Sequence, residues 1–104
     1  MLREPIWDIE VVDDGKRLAV RPSGELDLNT CPELLRAFGR ADSQSELVCD
    51  LSGITFIDSS GVRALIELGQ REPKRFALAG NNKHVERLLE LTGTVGWFRR
   101  VPAD

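Results

Sequence analysis

Histidine and cysteine are scarce in this chain of 104 residues, which has one histidine and two cysteines. A protein zinc site needs several such ligands at close spacing, and His84 lies far along the sequence from both Cys31 and Cys49. We therefore expect no metal site. The two cysteines are expected to be reduced, mostly buried thiols of a cytoplasmic protein.

Long apolar runs are missing as well. The uncharged run at residues 51–57 is far too short to cross a bilayer, and no apolar signal segment opens the chain. This predicts a cytoplasmic location without direct membrane insertion. A net charge of −3 argues against a nucleic-acid surface, and Arg99 and Arg100 are interpreted as surface charge over packed aromatics.

Motifs for catalysis and nucleotide binding are also lacking. The sequence has no Gly-x-Ser-x-Gly elbow around a serine and no Gly-x-x-x-x-Gly-Lys loop. A nucleophilic serine needs a base beside it, and His84 lies in a stretch rich in Lys, Glu and Arg. We expect neither enzymatic activity nor a cofactor. An unrelated hydrolase is kept as an alternative to the two functions described below.

What the chain does contain is typical of an ordinary globular protein, with 41% apolar and 30% charged residues. The length suits one hydrophobic core, so residues 1–104 are predicted to form a single domain. Alternating apolar side chains predict a strand at residues 6–12, and the Asp-Asp-Gly turn at 13–15 leads into a second strand at 18–21. A hairpin therefore begins the fold.

Helices and strands then alternate. Thr30 and Glu33 have capping-box spacing ahead of a first helix, and residues 46–51 form a short strand. A second helix ends near Gly69, and residues 76–79 form the next strand. Asn81 or Asn82 caps a third helix, which stops at Gly93. Residues 97–101 are interpreted as a last edge strand or an ordered tail.

This order predicts an α/β fold with a mixed sheet of four to five strands. An initial β-hairpin is followed by βαβα units, and about three helices pack on the sheet.

The run Phe-Ile-Asp-Ser-Ser-Gly-Val at residues 56–62 is the most informative stretch. An apolar strand breaks at Asp58, and Gly61 opens a helix, so Ser59 is expected on an exposed turn at a helix N-terminus. A serine there is a plausible acceptor for a regulatory phosphate, because a new charge changes what can dock. Taken alone, Ser59 is better explained as a simple turn or helix-cap serine, and the surrounding motif is what favours phosphorylation.

Four segments in the right order and spacing resemble the STAS family, the domains of anti-sigma factor antagonists that also occur in sulfate transporters. They are Gly-Glu-Leu-Asp at 24–27, Cys-Asp-Leu-Ser at 49–52, Phe-Ile-Asp-Ser-Ser-Gly at 56–61, and Val-Glu-Arg-Leu-Leu-Glu-Leu-Thr-Gly at 85–93. The resemblance extends from about residue 6 to residue 101.

The resemblance implies a bacterial partner-switching protein that regulates transcription through a sigma factor. The unphosphorylated antagonist would bind an anti-sigma factor that is also a serine kinase, and so free the sigma factor. The kinase would phosphorylate Ser59, and a metal-dependent phosphatase of the PP2C type would remove the phosphate. The alternative is a STAS scaffold subunit of a lipid or anion transport complex, which docks without cycling phosphate.

The resemblance also implies a partner-binding surface around the acceptor serine. Ser60 is interpreted mainly as the helix cap, or else as an alternative acceptor, and Thr30 as a cap only. As a residue at a strand end, Asp58 is expected to bond the following backbone N–H groups, and the compatible functional interpretation is that it fixes the loop and presents Ser59 to the kinase. The predicted partner-facing residues are Asp27, Asp58, Ser59, Ser60, Gly61, Val62 and Arg63. Asp27 is expected to be exposed near the same end of the sheet as Ser59, and the alternative for it is an ordinary loop carboxylate.

Overall fold

A computed structural model describes residues 7–41 and 44–103. The predicted hairpin is present: β1 (Trp7–Asp13) pairs antiparallel with β2 (Arg17–Leu26). In the turn, the Asp14 carboxylate accepts hydrogen bonds from the backbone N–H groups of Lys16 and Arg17, and Gly15 has φ +85°. Residue 6, predicted to begin the first strand, lies outside the described ranges.

The second strand is longer than predicted because it has two successive neighbours on one side. Its first half pairs in parallel with β3 (Glu46–Asp50), and its last residues pair in parallel with β4 (Ile54–Ile57). A short 3₁₀ turn, Leu51–Gly53, separates those two neighbours. A Cβ on Gly53 would come within 2.9 Å of the Pro22 carbonyl oxygen, so a glycine lets this turn lie against β2.

The predicted mixed α/β sheet is confirmed, with six strands in the described ranges instead of four to five. Its order is β1-β2-β3-β5-β6, with β5 at Phe76–Ala79 and β6 at Arg99–Val101, and β4 pairs with β2 off this path. All pairings after the hairpin are parallel. The residues approaching Asp58, which the sequence did not separate as a strand of their own, form β4.

Three α-helices fall in the described ranges: α1 (Cys31–Phe38), α2 (Ser59–Arg71) and α3 (Lys83–Thr92). The capping box predicted at Thr30 is wrong, because the Thr30 hydroxyl donates to the Glu25 carbonyl oxygen at 2.7 Å instead of capping α1. The second helix passes Gly69, and an ion pair of 2.6 Å between Glu67 and Arg71 spans its last turn.

The third helix has the ends that the sequence predicts. The Asn82 side chain caps its N-terminus, and Gly93 with φ +72° ends it in the left-handed conformation. Over the described residues, none of the helices has the length and apolar character that a bilayer crossing requires.

One hydrophobic cluster joins the sheet to all three helices. Its fully buried side chains include Leu26 of β2, Leu34 of α1, Leu65 of α2 and Leu89 of α3. Burying a leucine contributes about 1.5–3 kcal/mol, so these contacts hold each helix against the strands. The packing places the ends of β2 and β4, and the helices that follow them, beside each other.

Candidate functional site

Two neighbouring loops form the candidate site. Leu26 at the end of β2 pairs with Ile57 at the end of β4, and an aspartate follows each of them. The Asp58 backbone N–H also donates to the Leu26 carbonyl oxygen at 3.4 Å. The parallel register therefore brings Asp27 and Asp58 to one end of the sheet, where the sequence predicted them.

Asp58 caps α2 from an extended backbone conformation. Its Oδ1 accepts hydrogen bonds from the backbone N–H groups of Ser60, at 2.9 Å, and Gly61, at 3.2 Å. The prediction of Ser60 as the cap is wrong, because Ser60 is already the second residue of the helix. The helix begins two residues earlier than that assignment required, which gives the cap position to Asp58.

Ser59 is the first residue of α2, and its side chain is exposed. Among the residues that the structure describes, its hydroxyl has no hydrogen-bond partner. Arg63, one helical turn later, is exposed as well. The expected accessibility of Ser59 is confirmed.

Gly61 and Val62 lie beneath this surface. A Cβ on Gly61 would come within 2.6 Å of Ile57 Cγ1 and 2.8 Å of the Leu26 carbonyl oxygen. Val62 is only 3% exposed and belongs to the hydrophobic cluster. Both residues position the start of α2 against the strands, and neither offers its side chain to a docked protein.

The first loop is closed by the Asp27 carboxylate, which accepts bonds from the backbone N–H groups of Asn29, at 2.9 Å, and Thr30, at 3.2 Å. The next residue, Cys31, begins α1, and its thiol donates to the Ser60 carbonyl oxygen at 3.4 Å. Burial and the nearby carboxylates of Asp58 and Asp27 raise the pKa of Cys31 to about 11, so this thiol stays protonated at neutral pH.

The bond from Cys31 ties the two loops together, and no sequence pattern indicated it because the bonded residues lie 29 positions apart. Two exposed apolar residues were also missed as part of the site. Leu28, directly after Asp27, is 74% exposed, and Phe56, two residues before Asp58, is 48% exposed. A leucine inside an otherwise polar loop was the available sequence signal.

The histidine is not hydrogen-bonded to Ser59 in the part of the chain that the structure describes. His84 is exposed in the first turn of α3, where its backbone N–H donates to the Asn82 side chain, and within residues 7–41 and 44–103 no hydrogen bond joins it to Ser59. No group of three or more His, Cys, Asp or Glu side chains in those ranges is arranged to hold a metal ion. Ser59 is therefore an exposed serine that has no hydrogen bond to the histidine within the described residues.

Known proteins are similar to this chain over most of its length. The family model described as "Mlab, STAS domain" matches residues 9–98. The anti-sigma-B factor antagonist of Staphylococcus aureus (strain NCTC 8325 / PS 47) is 32% identical over 92 residues, which cover 83% of this chain and 84% of the relative.

Solved structures of two anti-sigma factor antagonists are also similar to this chain. An anti-sigma factor antagonist from Mycobacterium paratuberculosis is 32% identical, with a TM-score of 0.81 over 98% of this chain and 92% of that one. The anti-sigma factor antagonist SpoIIAA in its unphosphorylated form is 19% identical, with a TM-score of 0.66 over 94% of this chain and 88% of that one. At that identity, the second likeness concerns the fold alone.

Proposed function

Because the chain belongs to the STAS domain family and is related to anti-sigma factor antagonists, we propose that it works by partner switching. The unphosphorylated protein binds an anti-sigma factor that is also a serine kinase, and this binding frees a sigma factor. Phosphorylation on Ser59 abolishes the complex, and a PP2C-type phosphatase restores it. The protein acts in the cytoplasm as a substrate and binding module, with no catalysis of its own.

The observation that carries this proposal is the position of Ser59. Its hydroxyl is exposed on the first residue of α2, and the Asp58 cap holds the backbone around it. A kinase could transfer the γ-phosphoryl group of ATP to Ser59 Oγ, with loss of the hydroxyl proton and release of ADP. The neighbouring Ser60 is half-buried, which favours Ser59 as the acceptor.

The surface around Ser59 suits a protein partner. The exposed parts of Leu28 and Phe56 supply apolar area, which a docked protein would cover. The polar rim of this docking surface consists of Asp27, Asp58, Ser59, Ser60 and Arg63. The buried Gly61 and Val62 support it from below, a positioning role that replaces the partner contact expected of them.

Phosphate on Ser59 would change this docking surface through charge. It adds about 1.5 to 2 negative charges at neutral pH, beside the Asp58 carboxylate. Like-charge contact at a desolvated interface costs several kcal/mol, and about 2.7 kcal/mol already weakens binding roughly a hundredfold. Neither the backbone nor the core has to rearrange for the complex to dissociate.

The test uses the cognate anti-sigma factor, recovered by co-purification, together with ATP. Mass spectrometry should find one added phosphate on Ser59, and Ser59→Ala should bind the factor but accept no phosphate. Ser59→Asp should bind much more weakly, whereas Ser52→Asp, at an exposed serine outside α2, should bind as wild type.

Phosphate mapped to another residue, or unchanged affinity of Ser59→Asp, would overturn the proposal. A partner that binds stably and never modifies Ser59 would instead support the non-cycling scaffold of a membrane transport complex.

A further inference from the structure

We propose that Arg63 is the internal counter-charge for a phosphate on Ser59, so that phosphorylation withdraws a cation from the docking surface as well as adding an anion to it. This inference rests on the proposed modification of Ser59. Once the phosphate is attached to Ser59, Arg63 of the same helix forms an ion pair with it.

The spacing of the two residues supports the pairing. Ser59 and Arg63 are four positions apart within α2, and both side chains are exposed. Residues at this spacing lie on the same face of a helix, with their Cβ atoms about 5–6 Å apart. A guanidinium group can donate two parallel hydrogen bonds to phosphate oxygens, so the long arginine side chain can reach a phosphoserine one turn away.

The usual anion site at a helix N-terminus is already occupied in α2. The Asp58 carboxylate accepts the N–H groups of Ser60 and Gly61, the donors that a phosphate would otherwise use. A phosphate on Ser59 would also be repelled by Asp58 and by the neighbouring Asp27. It therefore needs a side-chain cation, and between residues 59 and 66 of the sequence Arg63 is the one cationic residue.

Arg63 is available for this role. Glu67, the acidic residue one turn further along α2, is paired with Arg71 at 2.6 Å. Within the part of the chain that the structure describes, Arg63 itself forms no ion pair. Its guanidinium can therefore serve a carboxylate of the partner before modification and the phosphate afterwards, and it cannot serve both fully at once.

The experiment measures the pairing directly and without the kinase. Phosphoserine is incorporated at position 59 during translation, in the full chain and in the Arg63→Gln, Arg63→Lys and Arg87→Gln variants. Arg87 is a matched control, because it is an exposed arginine on another helix. The second ionisation of the phosphate, near pH 6, is then followed by ³¹P NMR titration, and circular dichroism checks that each variant folds.

A nearby cation favours the dianion, so the loss of Arg63 should raise the second pKa of the phosphate by about 0.3 or more. Arg63→Lys should restore part of the difference, because it keeps the charge but loses the two-pronged geometry. Arg87→Gln should titrate as the unsubstituted phosphoprotein does. Equal pKa values in the Arg63→Gln and Arg87→Gln phosphoproteins would overturn the inference.

Binding of the unphosphorylated proteins tests the second half of the inference. Arg63→Gln should weaken the complex with the anti-sigma factor several-fold, and Arg87→Gln should not. If both variants bind equally well, Arg63 does not contribute to binding of the partner, and the proposed withdrawal of a cation from the docking surface is wrong. The titration requires neither kinase nor partner, so its failure is distinguishable from failure of the partner-switching function.

Discussion

The side chain of Asn82 connects α3 to the turn between β3 and β4, and its removal should be among the most damaging single changes in this fold. Asn82 is 8% exposed. Its Nδ2 donates to the carbonyl oxygens of Leu51 and Ile54, both at 2.7 Å. Its Oδ1 accepts the N–H groups of His84, at 3.0 Å, and Val85, at 3.2 Å. These four bonds use every donor and acceptor of the side chain, and they join the start of α3 to the turn between β3 and β4.

The cost of Asn82→Ala can be worked out from these bonds. Each donated bond contributes about 1 kcal/mol, and loss of the helix cap costs about 1 kcal/mol more. The free energy of unfolding should therefore fall by about 3 kcal/mol, a large share of the roughly 5–15 kcal/mol typical of small domains. Urea unfolding followed by circular dichroism measures this difference. Asn81→Ala, at the exposed neighbour, is the control and should change stability by less than about 0.5 kcal/mol.

Asn82→Asp separates the cap from the two donated bonds. A carboxylate still caps α3, but it cannot donate to the two carbonyl oxygens and is repelled by them. Protonation restores one donor, so the folded protein should hold this proton more tightly than the unfolded chain, whose aspartate has a pKa of about 3.9. The stability of the variant relative to wild type should then fall as the pH rises above about 4. The reasoning fails if Asn82→Ala is as stable as Asn81→Ala, or if Asn82→Asp follows the wild-type pH profile.

Three further predictions concern the site. Gly61→Ala should lower the free energy of unfolding by about 1–3 kcal/mol, because its Cβ would lie 2.6 Å from an isoleucine side chain. Gly69→Ala, whose Cβ would meet nothing closer than 3.6 Å, should be neutral or stabilising, and equal losses would contradict the packing argument. Asp58→Ala should lower the free energy of unfolding by about 1 kcal/mol in a thermal unfolding experiment, and Asp58→Asn should lower it clearly less. An Asp58→Ala variant as stable as wild type would show that the cap does not contribute to stability. Iodoacetamide should alkylate Cys31 slowly at pH 8, since burial and two nearby carboxylates raise its pKa to about 11. Cys49, whose pKa burial also raises, should react only after unfolding, and rapid labelling of either thiol would refute this.

Several predictions that depend on a few consecutive residues were confirmed. Gly15 and Gly93 have the positive φ values that their turns require, and Asn82 caps α3. Asp27 and Asp58 lie near the same end of the sheet, as expected. Assignments that required a choice between two neighbouring polar residues were less secure, since Asp58 takes the cap expected of Ser60.

Contacts between distant segments decided the rest. The Thr30 hydroxyl, expected to cap α1, bonds to the backbone of β2 instead, and β4 exists as a separate strand because the chain turns close to β2 at Gly53. The burial of Val62 and the exposure of Phe56 also depend on which elements cover them. None of these features has a signal within a short window of residues.

By itself, then, the sequence determined the α/β class, the mixed sheet and an exposed serine after an aspartate at the start of a helix, because periodicity and turn chemistry act over a few neighbouring residues. Only the tertiary structure decided that Cys31 joins the two loops and that Leu28 and Phe56 are exposed. These features arise where strands far apart in sequence come into register, and hydrogen bonds and burial at such places depend on the whole fold.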